Sequence, residues 1–265
     1  MKKNIIRFLI GMIPFAKLRR KTRSNYLQNV KAAEFRAKLT DVQMLIHKYV
    51  YPHQEEHHRT MQIVQEYDYW SKILSWLYND NKDRTDYKIL DIGCAYGTLA
   101  VFCKKNLKAD VYTVDFMDYV YPKKLFEELG IHFEVCNIER SEIPYKDKFE
   151  IILFTEALEH LNFNPIPALK HIKNAMKKDG IIYFSTPNAK YWGRVTRYWK
   201  KFSDIPYYDP KNPPEKVIED HLWQYNWPEL LYIFDQAGLV PVDIDYSRQG
   251  WHFNIVLKRK EDIEI

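Results

Sequence analysis

The chain has 265 residues and a mass of 32.0 kDa, enough for one substantial hydrophobic core and too little for two full domains of ordinary size. Apolar residues at 46% and charged residues at 28% exclude a disordered or membrane-spanning polypeptide, and 40 basic against 35 acidic side chains leave +5, a local excess rather than a basic protein. Cys94, Cys103 and Cys136 form no CxxC pair, so neither a disulfide framework nor a thiolate metal site is expected, and a reducing, cytoplasmic compartment is the simpler reading.

In chain order, the first feature is the run IIRFLIGMIPF at residues 5–15, followed by Lys17, Arg19, Arg20, Lys21 and Arg23. It is too short to span a bilayer, is broken by Arg7 and lacks a small-residue cleavage site. Residues 1–24 read as a basic amphipathic helix, with two destinations: the anionic inner face of a membrane, or a docking site on its own domain or a homodimer mate. Residues 24–80 contain few breakers and predict several helices, with a joint at Tyr51-Pro52-His53 and a polar loop over residues 79–83. The cluster HQEEHH at residues 53–58 is not H-E-x-x-H and reads as a solvated helix face.

From Tyr87 onward, β-rich runs alternate with helical patterns. Strands are predicted at residues 87–92, 110–114, 132–136, 150–154 and 180–185, with helices near 99–105, 123–129 and 165–176 between them. Such alternation predicts βαβ units: an α/β fold with a parallel, Rossmann-like sheet covered on both faces, its functional groups at the strand C-terminal ends. After Pro187-Asn188 an aromatic and proline-rich stretch, residues 189–220, reads as a lid or insertion. A helix over 227–237 and strands at 239–246 and 253–258, a closing antiparallel pair, finish the chain. Residues 1–60 are expected as a helical N-terminal extension and 61–265 as the main domain.

The segment ILDIGCAYGTLA, residues 89–100, puts Asp91, Gly93 and Gly97 at the first strand-to-helix turn, where glycine admits a ligand close to the backbone and helix N–H groups are free. Asp115 ends the next strand, where an acid can accept from ribose hydroxyls. With C-N-I-E at 136–139, E-A-L-E-H-L at 156–161 and D-G-I-I-Y-F-S-T-P-N at 179–188, the chain resembles the class I S-adenosylmethionine-dependent methyltransferases over roughly residues 60–260. By that resemblance, Gly93 and Gly97 line the methionine part of the cofactor, Asp115 holds the ribose, and Asn137 and Ile138 flank adenine. Asp91, Tyr96 and Thr155 complete the expected S-adenosylmethionine positions. The chain departs from the family pattern at Ala95, where glycine is common.

Glu156, Glu159 and His160 follow the fourth parallel strand, where an acceptor would meet the methyl group. If Glu156 starts a helical turn, all three share one face, an oxygen and nitrogen ligand set suited to Mg²⁺ or Mn²⁺ once another ligand arrives. E-x-x-E-H with the later His221 resembles the metal-dependent O-methyltransferases, among them small-RNA 2′-O-methyltransferases, and E-x-x-E-H alone resembles the ubiquinone-pathway O-methyltransferases. This implies a divalent ion on Glu156, Glu159, His160 and His221. A second reading keeps His160, with Glu159, as the catalytic base without metal.

For the acceptor, the aromatic residues from Tyr191 to Trp227 with Arg194 and Arg197 suit a sugar, a sugar nucleotide or a nucleic-acid end, and equally a self-packed lid or dimer interface. The leader IPFAKLRRK resembles those of cell-surface glycan transferases, which implies O-methylation of a carbohydrate in capsule or lipopolysaccharide biosynthesis. The alternatives are an RNA-terminal methyltransferase, disfavoured by the lack of a broad basic stripe, a quinone-type small-molecule O-methyltransferase, and a catalytically inactive cofactor-binding partner.

Overall fold

The computed structural model describes residues 35–50, 56–118 and 120–263. The basic segment 1–24, the joint at 51–53 and the side chains of the histidine cluster at 53–58 lie outside the described residues. No described helix is long and apolar enough to cross a membrane.

Residues 35–50 form helix α1, and α2 is one continuous helix, Glu56–Asn81. More than one helix was expected over residues 24–80 and two are described, but the polar loop expected from residue 79 starts later; with no Gly or Pro between 56 and 81, nothing interrupts the backbone hydrogen bonds of α2. The expected domain boundary at residue 60 falls inside this helix.

The core alternates as expected: β1 (Thr85–Ile92), α3 (Thr98–Asn106), β2 (Lys108–Asp115), α4 (Lys123–Leu129), β3 (His132–Val135), β4 (Phe149–Thr155), α5 (Pro165–Ala175) and β5 (Met176–Pro187). A short helix α6 (Ala189–Trp192) opens the insertion, and α7 (Trp227–Ala237), β6 (Leu239–Ser247) and β7 (His252–Arg259) close the fold. The seven strands lie in the order β3-β2-β1-β4-β5-β7-β6, with β7 antiparallel to both of its neighbours.

Period-two burial explains why β4 reads as an unbroken apolar run. Ile151 and Leu153 point to one face, with Phe35, Leu39 and Val42 of α1 and Leu74 and Leu77 of α2. Ile152 and Phe154 point to the other, with Leu169 and Ile172 of α5 and Ile233 and Phe234 of α7. A strand buried on both faces has no polar side to show. The N-terminal helices therefore complete the sheet's cover.

Candidate active site

The parallel strands β1 to β4 all end on the same rim, and a cavity of about 420 Å³ opens there. Its floor comes from Gly93, Ala95 and Tyr96 after β1, Asp115 to Met117 at the end of β2, and Cys136 to Glu139 after β3. Phe154, Glu156, Ala157 and His160 to Asn162, from the end of β4 and beyond, form one wall, and Val217 to Glu219 cover it. A cleft at the carboxyl ends of the strands is where this topology binds ligands.

The turn after β1 is tight. Gly93 N–H donates to the Val114 carbonyl at 2.8 Å and Gly97 N–H to the Cys94 carbonyl at 2.7 Å. A Cβ on Gly93 would stand 3.1 Å from the Ala157 Cβ, so glycine here leaves room between the turn and the β4 wall. Ala95 takes φ 43°, and its N–H donates to Asp115 Oδ2 at 2.9 Å. Asp115 thus braces the turn as well as lining the cavity. Asp91 is buried beneath it; burial pushes its carboxyl up to about 7, and the Ala100 amide facing it opposes that rise.

Past β4 the backbone does not enter an α-helical turn. Glu156 adopts φ 48° and only Leu158–His160 is helical, as a 3₁₀ turn. The two carboxyls stay side by side but take different further partners. Glu159 is buried and accepts a hydrogen bond from Thr186 Oγ1 at 2.9 Å, and its main-chain carbonyl accepts the Leu222 N–H at 2.8 Å. That second bond brings His221 alongside His160, with ring centroids 4.6 Å apart and the planes at 88°. Ligand atoms of Glu159, His160 and His221 lie within 4.8 Å of one another. Glu156, expected as a fourth member of this group, turns aside: its Oε2 accepts from His252 Nδ1 at 2.9 Å.

Electrostatics follow from burial. Glu156 is pushed up to about 8 and Glu159 well above the ordinary carboxylate range, the latter also by the Glu156 carboxyl beside it. His160 is pushed down to about 4, by burial first and by His221 second. His221 is lowered as well, by burial. Both imidazoles are therefore neutral at pH 7, the form that binds a metal or takes a proton.

The cover over the cavity is a strap at residues 217–221. The buried Asn162 side chain accepts from Ile218 N–H at 2.8 Å and donates to the Ile218 and His160 carbonyls at 3.2 and 3.1 Å. His160 Nδ1 lies 3.0 Å from the Asp220 carbonyl, and the Asp220 carboxylate receives Tyr198 Oη and Arg197 Nη1 at 2.9 and 3.0 Å.

Residues 52–244 match the family model of the methyltransferase domain. The chain belongs to this family. It is an S-adenosylmethionine-dependent methyltransferase. A relative in Histophilus somni, "Ubiquinone biosynthesis O-methyltransferase", is 26% identical over 190 residues, covering 69% of this chain and 75% of the relative. The protein of the same name in Pasteurella multocida is 27% identical over 194 residues, covering 68% and 75%. Among solved structures, an S-adenosylmethionine-dependent methyltransferase from Clostridium acetobutylicum superposes with a TM-score of 0.53 at 13% identity, covering 77% of this chain and 97% of that one. The last likeness speaks for the fold alone.

In the methyltransferase, Gly93, Tyr96, Asp115, Asn137 and Ile138 lie on the cavity. Asp91, Gly97 and Thr155 do not; Asp91 and Thr155 are buried under its rim. Gly97 meets a different demand from the expected one: it has φ 75°, and a Cβ there would fall 2.4 Å from the Phe126 ring. A nucleoside-sized cavity approached by the bare backbone of Gly93 and bounded by Asp115 fits S-adenosylmethionine. A divalent ion also fits the donor set. The carboxyls of Glu156 and Glu159 are buried against each other with no Lys or Arg partner among the described residues. Such a pair needs protons or a cation.

The aromatic side chains of the insertion do not line the cavity, which it meets through Val217 to Glu219. Trp223 and Tyr225 are buried in the core, Phe202 packs on Tyr225 and Tyr232, and Arg194 and Arg197 are engaged by Glu229 and Asp220. Of the two expectations for these residues, self-packing describes their contacts. Glu139, Asn162 and the strap were not read as site residues. Glu139 stands in the quoted C-N-I-E and Asn162 directly follows E-H-L, so a signal was present; Val217 to Glu219 lie at the end of the stretch 189–220 read as a lid, though nothing singled them out within it.

Proposed function

We propose that the methyltransferase transfers a methyl group to a hydroxyl of an uncharged small molecule carrying adjacent hydroxyls, of catechol type, with a divalent ion on Glu159, His160 and His221. The observation that carries this reading is the wall of the cavity: Glu156 and His160 face the same space as the nucleoside turn, with Glu159 and His221 behind them. The charge of the lining supports an uncharged acceptor. Asp115, Glu139, Glu156 and Glu219 contribute carboxyls, and no Lys or Arg is among the described lining residues. The phosphates of an anionic sugar nucleotide would find no basic side chain among these residues to pair with. The relatives named for ubiquinone biosynthesis favour the quinone-type alternative over the carbohydrate expectation, which nothing in the comparisons supports.

S-adenosylmethionine supplies a methyl carbon activated by its bond to a sulfonium. The acceptor oxygen bonds to that carbon as the carbon–sulfur bond breaks, and the electron pair stays on sulfur. The protein's task is alignment and removal of the hydroxyl proton. A divalent ion, when bound, supplies acidification of that hydroxyl and a bidentate grip on adjacent oxygens. His160 has its Nδ1 engaged by Asp220, which leaves Nε2 for a ligand or a proton. The Val217 to Glu219 strap keeps water from the reacting centre.

The test is transfer of labelled methyl from S-adenosylmethionine to 4-methylcatechol, a methyl glycoside, a nucleotide sugar and an RNA 3′ end, each with Mg²⁺ or Mn²⁺ and with a chelator. Transfer to the catechol that the chelator abolishes is the expected result. Preference for the nucleotide sugar refutes the acceptor reading, and full activity in chelator refutes the metal.

A further inference from the structure

A buried histidine outside every motif considered so far touches this wall. His252 opens β7 and is 1% exposed. Its Nδ1 lies 2.9 Å from Glu156 Oε2, and on its other side Nε2 lies 3.3 Å from the indole Nε1 of Trp192. Indole nitrogen can only donate, so Nε2 has to be the acceptor, without a proton. The imidazole proton then sits on Nδ1 and is donated to Glu156. One contact thus fixes the tautomer and, through it, the direction of the second.

Trp192 is itself held in place. It ends α6, the first turn of the insertion, and Asn188 fastens that turn to the start of β7: its N–H donates to the Trp251 carbonyl at 2.7 Å and its Nδ2 to the Gly250 carbonyl at 3.0 Å. Tyr69 of α2 lies against the imidazole, ring centroids 4.4 Å apart. The ring is therefore set from α2, β7 and the insertion together. Besides His252 at Oε2, the Glu156 carboxyl faces Ser185 and the Glu159 carboxyl.

We propose that His252 and Trp192 are positioning residues for methyl transfer: the Trp192 N–H holds His252 in its Nδ1-protonated form, and His252 fixes the Glu156 carboxyl on the cavity wall. Neither residue touches the acceptor. Glu156 has left-handed backbone and no helix to hold it, so its side chain needs an external brace. A partner that orients a reacting group is commonly worth about 10- to 100-fold in activity.

The kinetic half of the test rests on the proposed O-methyl transfer; the spectroscopic half does not. Long-range ¹H–¹⁵N spectra of the histidine rings at neutral pH, with His252→Asn identifying the signals by their loss, should show His252 neutral and protonated on Nδ1. In Trp192→Phe, which keeps the ring and deletes the donor, the Nε2-protonated form should appear. With 4-methylcatechol as acceptor, His252→Phe should lower kcat about 10- to 100-fold with little change in KM for S-adenosylmethionine. His252→Asn, whose amide can replace the Nδ1 donor, should restore most of it. S-adenosylhomocysteine affinity by calorimetry should be unchanged in every variant. Should His252→Phe fail to fold, Trp192→Phe and His252→Asn carry the comparison. A wild-type His252 protonated on Nε2, or on both nitrogens, overturns the proposal. So does a folded His252→Phe with wild-type kcat, or an asparagine variant no better than phenylalanine. If the catechol is not methylated at all, the acceptor reading fails and the tautomer spectrum alone decides this one.

Discussion

Asn162→Ala tests whether the strap is a separately stable part of the site. The substitution deletes one acceptor and two donors: the bond from Ile218 N–H at 2.8 Å and those to the Ile218 and His160 carbonyls at 3.2 and 3.1 Å. Only the two bonds to Ile218 reach the strap, so at about 1 kcal/mol net for each it loses about 2 kcal/mol, or roughly one and a half decades in its closing equilibrium. The loss should be local, because residues 217–221 lie outside every helix and strand. Amide hydrogen exchange gives the readout. Leu222 N–H, bonded to the Glu159 carbonyl at 2.8 Å, should exchange roughly 30-fold faster, while amides of β1 and β4 keep their protection. Asn162→Asp retains the acceptor for Ile218 N–H and should fall between the two. Unchanged exchange at Leu222 in a folded Asn162→Ala, or equal loss throughout the sheet, would refute a local latch.

Three further substitutions probe the rest of the site. Gly97→Ala combines left-handed backbone with a Cβ driven into the Phe126 ring, so urea unfolding should show a loss of about 2–4 kcal/mol, partly recovered by Phe126→Leu; an unchanged midpoint would deny the clash. Asp91 gains affinity for its proton on folding, from the ordinary 3.8 to about 7, so the stability this proton provides is present below pH 4 and lost as pH rises through 7. Without cofactor, Asp91→Asn should therefore match the wild type near pH 4 and exceed it by up to about 4 kcal/mol at pH 8 in urea titrations; parallel pH profiles would count against a buried carboxyl. Glu159→Gln keeps an acceptor for Thr186 and removes a buried acid, so the Tm of the metal-free protein should hold or rise at pH 8, while the upward shift produced by Mn²⁺ in the wild type disappears. A Mn²⁺ shift that survives would remove Glu159 from the ligand set.

The parts of the fold legible in sequence are those governed by local rules. Ile151 to Phe154 announced a strand buried on both faces, and α7 was marked at both ends, by Asn226 and Glu229 in a reciprocal cap and by Gly238 at φ 74°. The candidate site was legible only as a set of residue types. Spacing placed Glu156, Glu159 and His160 on one helical face, but that assumed α geometry, and the positive φ of Glu156 breaks it. His252 lies 96 positions from the carboxylate it touches, and a contact between distant strands leaves no periodic trace. Composition likewise cannot separate aromatic residues that fill a core, such as Trp223 and Tyr225, from those that face a ligand.

The insertion is fastened at both ends and, between them, by Phe202 and Ile205 packed on the core. Asn188 secures its beginning to β7, and Asn162 and Glu159 secure its end at Ile218 and Leu222. Between these fixings the exposed run at residues 209–216, which leads directly into Val217 to Glu219, can change in length and composition while His160, His221 and the nucleoside turn keep their places. Such an arrangement is a cassette. Exchanging that run between related chains should redirect acceptor choice through the strap without rebuilding the chemistry, which gives divergence a route to new substrates that leaves the reaction itself intact.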